Sequence, residues 1–428
     1  MTIEDQRRNL MKLFEAAVAA ANPLQCVPPA LPAPPTDGRL IILGAGKGSA
    51  AMVQAAETHY LSLDPRPDII GCAVTRHGFS LPARAVEIIE GGHPVPDEGS
   101  AQAARRALEL AGEATDKDLV LVLLSGGASA LWTAPVDGVT LGEKQEVTRA
   151  LLASGARISE INCVRKHLSG IKGGRLARAA APARLITLAI SDVPGDDPSA
   201  IGSGPTVGDP TTLSDARQIL KDRGIEPPPS VAAALCDDRN ETPVPEDASF
   251  AHAEYMLVSR PADALKAAAD VAARLGYEVQ VLGDSIEGEA RDVAAEHAEL
   301  ARRCLAAGKR TALLSGGEVT VTVTGNGKGG PNQEYALSLA NALQGSDAIS
   351  ALAADTDGTD GGEGAADDPA GAIVDPTTGK RATGLGLNPA KFLNNNDSTG
   401  FFRALGDLLV TGPTRTNVND FRVILVDC

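Results

Sequence analysis

The chain has 428 residues, 43% of them hydrophobic but only 3% aromatic, with a formal net charge of −16. That length predicts two or three domains of roughly 150 residues, with cores of Ala, Val, Leu and Ile in the manner of parallel sheets covered by helices. The acidic balance argues against non-specific binding to nucleic acid or to an anionic membrane, and no apolar run reaches the roughly 20 residues of a membrane span. Residues 10–21 follow Arg7 and Arg8 as in a signal peptide, but Lys12 and Glu15 interrupt them. Leu10, Leu13, Phe14 and Val18 recur at helical spacing, so a soluble amphipathic helix is expected. A Pro-rich loop over 22–35 follows. Strand-like runs at 40–43, 69–74, 86–89, 119–124 and 185–190 then alternate with helices at 49–60, 100–111, 141–154 and 159–179. This pattern predicts a doubly wound, Rossmann-like α/β domain over residues 1–245.

The Pro- and acid-rich stretch 227–249 reads as a boundary, and a second α/β domain is expected over 250–428 with its core at about 310–425. Its expected strands are 255–258, 278–282, 311–314, 319–323, 349–354 and 423–426, with helices at 262–275, 289–306 and 332–343. The six cysteines, Cys26, Cys72, Cys163, Cys236, Cys304 and Cys428, are scattered without zinc-like spacing, which suits reduced thiols in a cytoplasm.

Leu-Leu-Ser-Gly-Gly occurs twice, at 123–127 and 313–317, each time after an apolar run. A buried strand running into Ser-Gly-Gly leaves a bare turn at the strand's C-terminal edge, where open α/β sheets bind ligands. The competing reading is an ordinary strand-ending turn. Gly44-Ala45-Gly46-Lys47-Gly48-Ser49 joins the first strand to its helix. It is similar to a dinucleotide fingerprint, but Ser49 stands where the third Gly belongs, and Thr75-Arg76-His77 replaces the acid at the end of the second strand. It also lacks the Walker spacing, which leaves Lys47 at a helix N-terminus as the group suited to a phosphoryl group or a carboxylate. The turn at Ser125, Gly126, Gly127 and Ser129 offers backbone amides and hydroxyls; with Leu131 in the fifth position it fails as a nucleophile elbow.

Residues 162–176 are the most basic stretch. On one helix, Asn162, Arg165, Lys166, Ser169 and Lys172 share a face with no acid to relieve repulsion, which favours anion binding over a merely solvated face. Asp192, Asp196 and Asp197 follow the strand 185–190; they suit either Mg²⁺ or a base toward a hydroxyl, or else turn chemistry. Ser203-Gly204-Pro205-Thr206 is another polar turn. The run Asp355-Thr356-Asp357-Gly358-Thr359-Asp360-Gly361 fails as an EF-hand, with Gly in the fourth position and Ala366 in the twelfth. Gly329-Gly330-Pro331-Asn332-Gln333-Glu334 reads as a helix start with its carboxamides exposed. His93, between prolines, is a candidate base or a structural residue.

The ordered series of motifs at 92–98, 161–176, 191–199, 203–206, 315–318 and 416–420, with the acidic loop, closely resembles the class II glycerate 2-kinase family, and the resemblance runs from about residue 5 to the end. The C-terminal half of that family is the multi-organism, leucine-rich fragment domain. The resemblance implies two α/β domains with the active site in the cleft between them. The implied reaction is ATP- and Mg²⁺-dependent phosphorylation of the 2-hydroxyl of D-glycerate to 2-phosphoglycerate in the cytoplasm; a homodimer is compatible with it. Lys47 stands at the family's functional lysine. The roles expected on this basis are catalytic for Lys47, Asp192 and Arg165, and substrate-binding for Ser125, Gly126, Gly127, Ser129, Asn162, Lys166, Lys172 and Ser203. Gly44, Gly46, Ser315, Gly316, Gly317, Glu318, Asn332, Gln333 and Asn417 are expected at the nucleotide, and Asp192, Asp196 and Asp357 at the metal. Two departures stand out. Ala128 replaces a Gly of the Ser-Gly-Gly-Gly-Ser turn, and Pro331 stands where many members carry Arg, so that Lys328 or Arg415 would supply the missing cation. Some members are labelled hydroxypyruvate reductase, so NAD(P)H-dependent reduction is the alternative.

Overall fold

The computed structural model describes residues 1–344, 346–362 and 367–428. The chain forms two compact units, one of residues 23–258 and one that joins residues 1–22 to 259–428. Strands of the first are β1 (Arg39–Ala45), β2 (Asp68–Arg76), β3 (Val86–Gly91), β4 (Leu119–Leu124), β5 (Arg184–Ile190) and β6 (Ala253–Ser259), in the order β3-β2-β1-β4-β5-β6. The pairings β3–β2, β2–β1, β1–β4 and β4–β5 are all parallel. Every residue of β4 is buried, as befits an apolar run covered on both faces. Ala103, Ala104 and Ala107 of the helix Glu98–Gly112 pack in one cluster with Ile41, Leu43, Val120 and Val122, the small side chains letting the helix lie close to the sheet. Chain order reverses between β1 and β4, so the crevice at their C-terminal ends is the sheet's topological switch point.

Two expectations change here. The strand expected to open the second domain is β6, the sixth strand of the first sheet. Its Tyr255 and Leu257 pack on the same apolar cluster as Leu185, so the stretch 227–249 lies within this unit and the boundary falls near residue 258. The single helix expected over 159–179 is two, Ile158–His167 and Arg175–Ala180. Between them Gly173 and Gly174 take φ of 56° and 79°, a left-handed conformation that ends a helix and that Gly adopts without a Cβ penalty.

The second unit holds a mixed sheet. Its strands are β7 (Glu278–Gly283), β9 (Thr311–Ser315), β11 (Ile349–Asp355), β12 (Gly371–Val374), β13 (Leu408–Leu409) and β14 (Asp420–Val426), ordered β13-β12-β11-β14-β9-β7. The strand expected over 319–323 is only β10 (Val319–Thr320), paired with β8 (Gly288–Glu289). The last strand, β14, is central and antiparallel to both β11 and β9. The amphipathic N-terminal helix Ile3–Ala20, expected with the first domain, belongs to this unit. Its Leu10, Leu13 and Phe14 are buried, with the Phe14 ring 6.1 Å from that of Phe421 on β14. A helical stripe records only that a face is apolar, and here the sheet it covers comes from the far end of the chain. No helix among the described residues is long and apolar enough to cross a membrane.

Candidate active site

At the switch point, the loops after β1 and β4 are laced together. The Lys47 N–H donates to Gly126 O at 2.8 Å and the Gly48 N–H to Ser125 Oγ at 2.9 Å, while Ser49 N–H turns back on Gly46 O. These first amides of the helix Ser49–Leu61 are therefore engaged within the protein, and what the loop presents is the Lys47 side chain. Gly46 has φ 130° and a Cβ there would collide with Ser125; Gly44 lies against Ala73. Gly127 has φ 84°, and a Cβ on it would stand 3.0 Å from the His93 ring and 3.3 Å from Lys47 Cγ. His93, Lys47 and the second glycine of the turn thus meet at one point. Ala128 begins the helical turn Ala128–Leu131 and is not among the residues with positive φ, so this alanine fits where the resemblance has glycine.

Beside this point lies a cavity of about 390 Å³ lined by His93, Gly127, Ser129, Lys144, Arg149, Arg165 and Lys172 among others, with no carboxylate in its lining. The Lys172 ammonium is buried and donates to Ser129 O and Trp132 O, both at 2.8 Å, at the end of the turn Ala128–Leu131. Burial, with the Arg165 guanidinium nearby, brings its pKa down to about 7. Lys144 donates to Leu168 O at 2.8 Å, at the end of the helix Ile158–His167, and burial holds its pKa well below the usual lysine range. Each lysine caps a helix C-terminus, a favourable place for a cation, and each also faces the cavity. Arg165 has no ion-pair partner among the described residues. Burying uncompensated positive charge is costly, a cost that an anion in the cavity would offset.

Lys166 departs from the expected face. Its ammonium reaches Asp209 Oδ1 at 3.2 Å, both groups buried, so the acid missing from the basic stretch arrives from farther along the chain. Ser129 Oγ and Ser203 Oγ are 2.9 Å apart and Ser203 Oγ lies 3.5 Å from Asn162 Oδ1, which brings those three residues together. Ser203 is held at φ 63° between Gly202 and Gly204, both at 60°, the kind of backbone strain that collects at functional sites. Asp192 and Asp196 follow β5 at the same C-terminal edge, whereas Asp197 is used in a turn, accepting from Ser199 N and Oγ. Among the described residues no group of three or more His, Cys, Asp or Glu is assembled to hold a metal ion. Mg²⁺ needs only one or two carboxylates beside water and phosphate oxygens.

In the second unit, the C-terminal ends of β9 and β11 and the start of β14 share one edge, with Ser315 opposite Arg422 and Asp355 opposite Asp420. This gathers Ser315, Gly316, Gly317, Glu318, Asp357 and Asn417. Asp357 accepts from Thr359 N at 2.8 Å and Asn417 Oδ1 from Asn419 N at 3.2 Å. Arg422 is buried, donates to Ser315 Oγ and Gly316 O, and pairs with Asp420 at 2.9 Å. The carboxamides expected to be exposed at the helix Pro331–Ala342 are buried instead. Asp360 accepts from the backbone N–H of Asn332 at 2.9 Å and of Gln333 at 2.8 Å, and Asn332 Nδ2 also reaches Asp420 at 2.6 Å. Burial, followed by the Asp420 charge, raises the pKa of Asp360 to about 7 against those hydrogen bonds. Pro331 is the first helical residue, where its missing N–H leaves nothing unpaired. Of the two stand-in cations, Lys328 is exposed and Arg415 half-buried at φ 67°. The end of the acidic loop, Glu363 to Ala366, lies outside the described residues.

The sequence reading missed Lys144 and Arg149. The signal was present: Leu141, Lys144, Gln145, Thr148, Arg149 and Leu152 lie at i, i+3, i+4, i+7, i+8 and i+11, one helical face, and all line the cavity.

Comparison with known proteins bears on both units. The family model described as a domain of unknown function, DUF4147, matches residues 9–236, and that of the MOFRL family matches residues 311–420. A protein of Agrobacterium vitis, provisionally named a hydroxypyruvate reductase, is 49% identical over 98% of this chain and 94% of its own length. The D-glycerate 2-kinase of Thermotoga maritima is 40% identical over 99% of both chains. The crystal structure of a glycerate kinase from the same organism superposes with a TM-score of 0.88 at 38% identity, covering 99% of this chain and 100% of that one.

Proposed function

This chain belongs to the glycerate kinase type-2 family, which joins a DUF4147 domain to a MOFRL domain, and from that premise we propose that it transfers the γ-phosphoryl group of ATP to the 2-hydroxyl of D-glycerate, giving 2-phosphoglycerate and ADP. The observation that carries this reading is the cationic cavity, free of lining carboxylates, beside Lys47 and Gly127 at the switch point of a parallel sheet. The sheet's strand order supports the term Rossmann-like.

Both reactants are anions, and phosphoryl transfer asks the protein chiefly for positioning and charge neutralisation. Lys47 and Arg165 meet the charge that develops on the transferring group. Ser125, Gly126 and Gly127 give the phosphates a close approach, which a side chain at 127 would block. Ser129, Ser203 and Asn162 offer hydroxyl and amide groups to a hydroxy acid. Asp192 orients the 2-hydroxyl and accepts its proton. Asp192 and Asp196 would hold Mg²⁺, which when bound neutralises phosphate charge. Lys166 supports the site through Asp209. In the second unit Ser315, Gly316, Gly317, Glu318, Asp357 and Asn417 share one strand edge, which Asn332 and Gln333 brace through Asp360.

Reduction of hydroxypyruvate fits less well. The amides of Lys47, Gly48 and Ser49, which a dinucleotide pyrophosphate would need, are engaged within the protein. The test is incubation of the enzyme with ATP, Mg²⁺ and D-glycerate. ADP and 2-phosphoglycerate are expected, with no NADPH oxidation by hydroxypyruvate. Absence of ADP would sink the assignment, and 3-phosphoglycerate would move the reacting hydroxyl.

A further inference from the structure

The cavity at the switch point has two kinds of wall. Its inner side carries Lys144, Arg165 and Lys172 and opens at Gly127 beside Lys47 and His93. Its outer side carries Val95, Pro96, Leu141 and Leu152, with Gln145, Thr148 and the exposed Arg149 on the same helix face. Val95 and Leu152 are 64% and 57% exposed, among the most exposed large apolar side chains of the described chain. A single exposed apolar residue needs no explanation, but two on the rim of one cationic cavity form a binding surface.

The three-carbon acid does not match that surface. Glycerate carries oxygen on every carbon, so setting it against Val95 and Leu152 would strip water from hydroxyls without offering partners, which is unfavourable. A cavity of about 390 Å³ also lies in the range for cofactor-sized ligands. The ligand that matches both walls has a polyanionic end and a flat apolar end.

We propose that this cavity is the nucleotide site: the purine lies against Val95, Pro96 and Leu152, and the polyphosphate runs over Lys144, Arg165 and Lys172 toward Gly127 and Lys47. This assignment rests on the kinase reading for the identity of the nucleotide, and it gives the first unit a role that the sequence left open between the two. Glycerate then belongs at the Gly127 end of the cavity, where Ser129 meets Ser203 and Asn162.

Photolabelling of the full-length protein with 2-azido-ADP, followed by peptide mapping, tests the site without turnover. Label on the segments 93–96 or 141–152 is expected, and label confined to other segments overturns the proposal. Leu152→Glu, on an exposed position that the fold tolerates, should weaken ADP binding by about tenfold through loss of one apolar wall while the KM for glycerate stays within twofold. A raised KM for glycerate with unchanged ADP binding would assign the cavity to the acid instead, and no change in either would overturn any role for it. If the wild-type enzyme labels at 141–152 but forms no phosphoglycerate, the kinase reading fails and the nucleotide site stands. If it forms product but labels elsewhere, the reverse holds.

Discussion

The two copies of Leu-Leu-Ser-Gly-Gly are identical in sequence and opposite in circumstance. The first ends β4 of a parallel sheet, where its serine and glycines interlock with the Lys47 loop and its second glycine faces His93. Lys144 and Lys172 beside it have backbone carbonyls for partners and, among the described residues, no acid. The second ends β9 of a mixed sheet, where the antiparallel neighbour β14 brings Arg422 across the turn and Asp420 neutralises it. At one edge the cations face a cavity, and at the other the charge is satisfied internally. Identical pentapeptides acquire these properties from their neighbours, because what a strand-edge loop can bind depends on which side chains the adjacent strands deliver.

The sharpest way to break this contrast is Lys47→Ala. It should lower kcat by about 10³-fold, the size of effect seen when a group meeting transition-state charge is removed, with an unchanged melting temperature; near-normal turnover would remove Lys47 from the chemistry. At the other edge, Arg422→Ala should leave catalysis secondary and stability primary, since it strands the buried Asp420 carboxylate at a loss of about 4 kcal/mol. Arg165→Met is its counterpart and should behave oppositely, melting no lower than the wild type because it removes a half-buried positive charge, while activity falls about 100-fold. If both arginine variants lost stability alike, the distinction between the edges would fail.

The glycines give a smaller contrast of the same kind. Gly317 has φ 98° and its Cβ position overlaps Ile286 backbone, so Gly317→Ala should destabilise by about 3 kcal/mol. Gly127→Ala meets only side chains, those of His93 and Lys47. Its stability loss should be about 1 kcal/mol, with activity falling more than stability; denaturant titration and a steady-state assay separate the two.

Protonation gives the mildest effect. The pKa of Lys172 drops from 10.5 to about 7 on folding, so between those values the unfolded chain binds more protons and this lysine's contribution to stability rises with pH. Anion affinity runs the other way, falling as pH climbs through 7 and the ammonium is lost. Asp360 rises from 3.8 to about 7, so the folded chain binds more protons in that window and stability falls with increasing pH across it. Hydrogen exchange of peptides from each unit should show these opposed trends, and Lys172→Met should flatten the first.

Much of this was legible in the chain. The five parallel strands of the first sheet could be read from apolar runs, because a strand buried on both faces writes itself as continuous Val, Ile and Leu. Lys47, the Ser125 turn and Asp192 could be read from their places after those strands. Lys144 and Arg149 went unread because their helix face also reads as an ordinary amphipathic surface, and Lys166 was overvalued because Asp209 lies far off in sequence. The exposed carboxamides expected at Asn332 and Gln333 were misread for the same reason: the acid that buries them, Asp360, is brought by another strand's loop.

The sequence by itself determined the five parallel strands of the first sheet, most of the long helices and which family the motifs resemble, since these depend on periodicity, glycine and proline, and therefore on neighbours within a few residues. Only the tertiary structure decided that the first helix belongs with the C-terminal half, that β6 completes the first sheet, and which charges are spent on one another. Those outcomes depend on burial and on partners tens to hundreds of residues away, and no local pattern records them. The same Leu-Leu-Ser-Gly-Gly borders a cationic cavity in one sheet and forms a closed corner in the other because Arg422 crosses only the second.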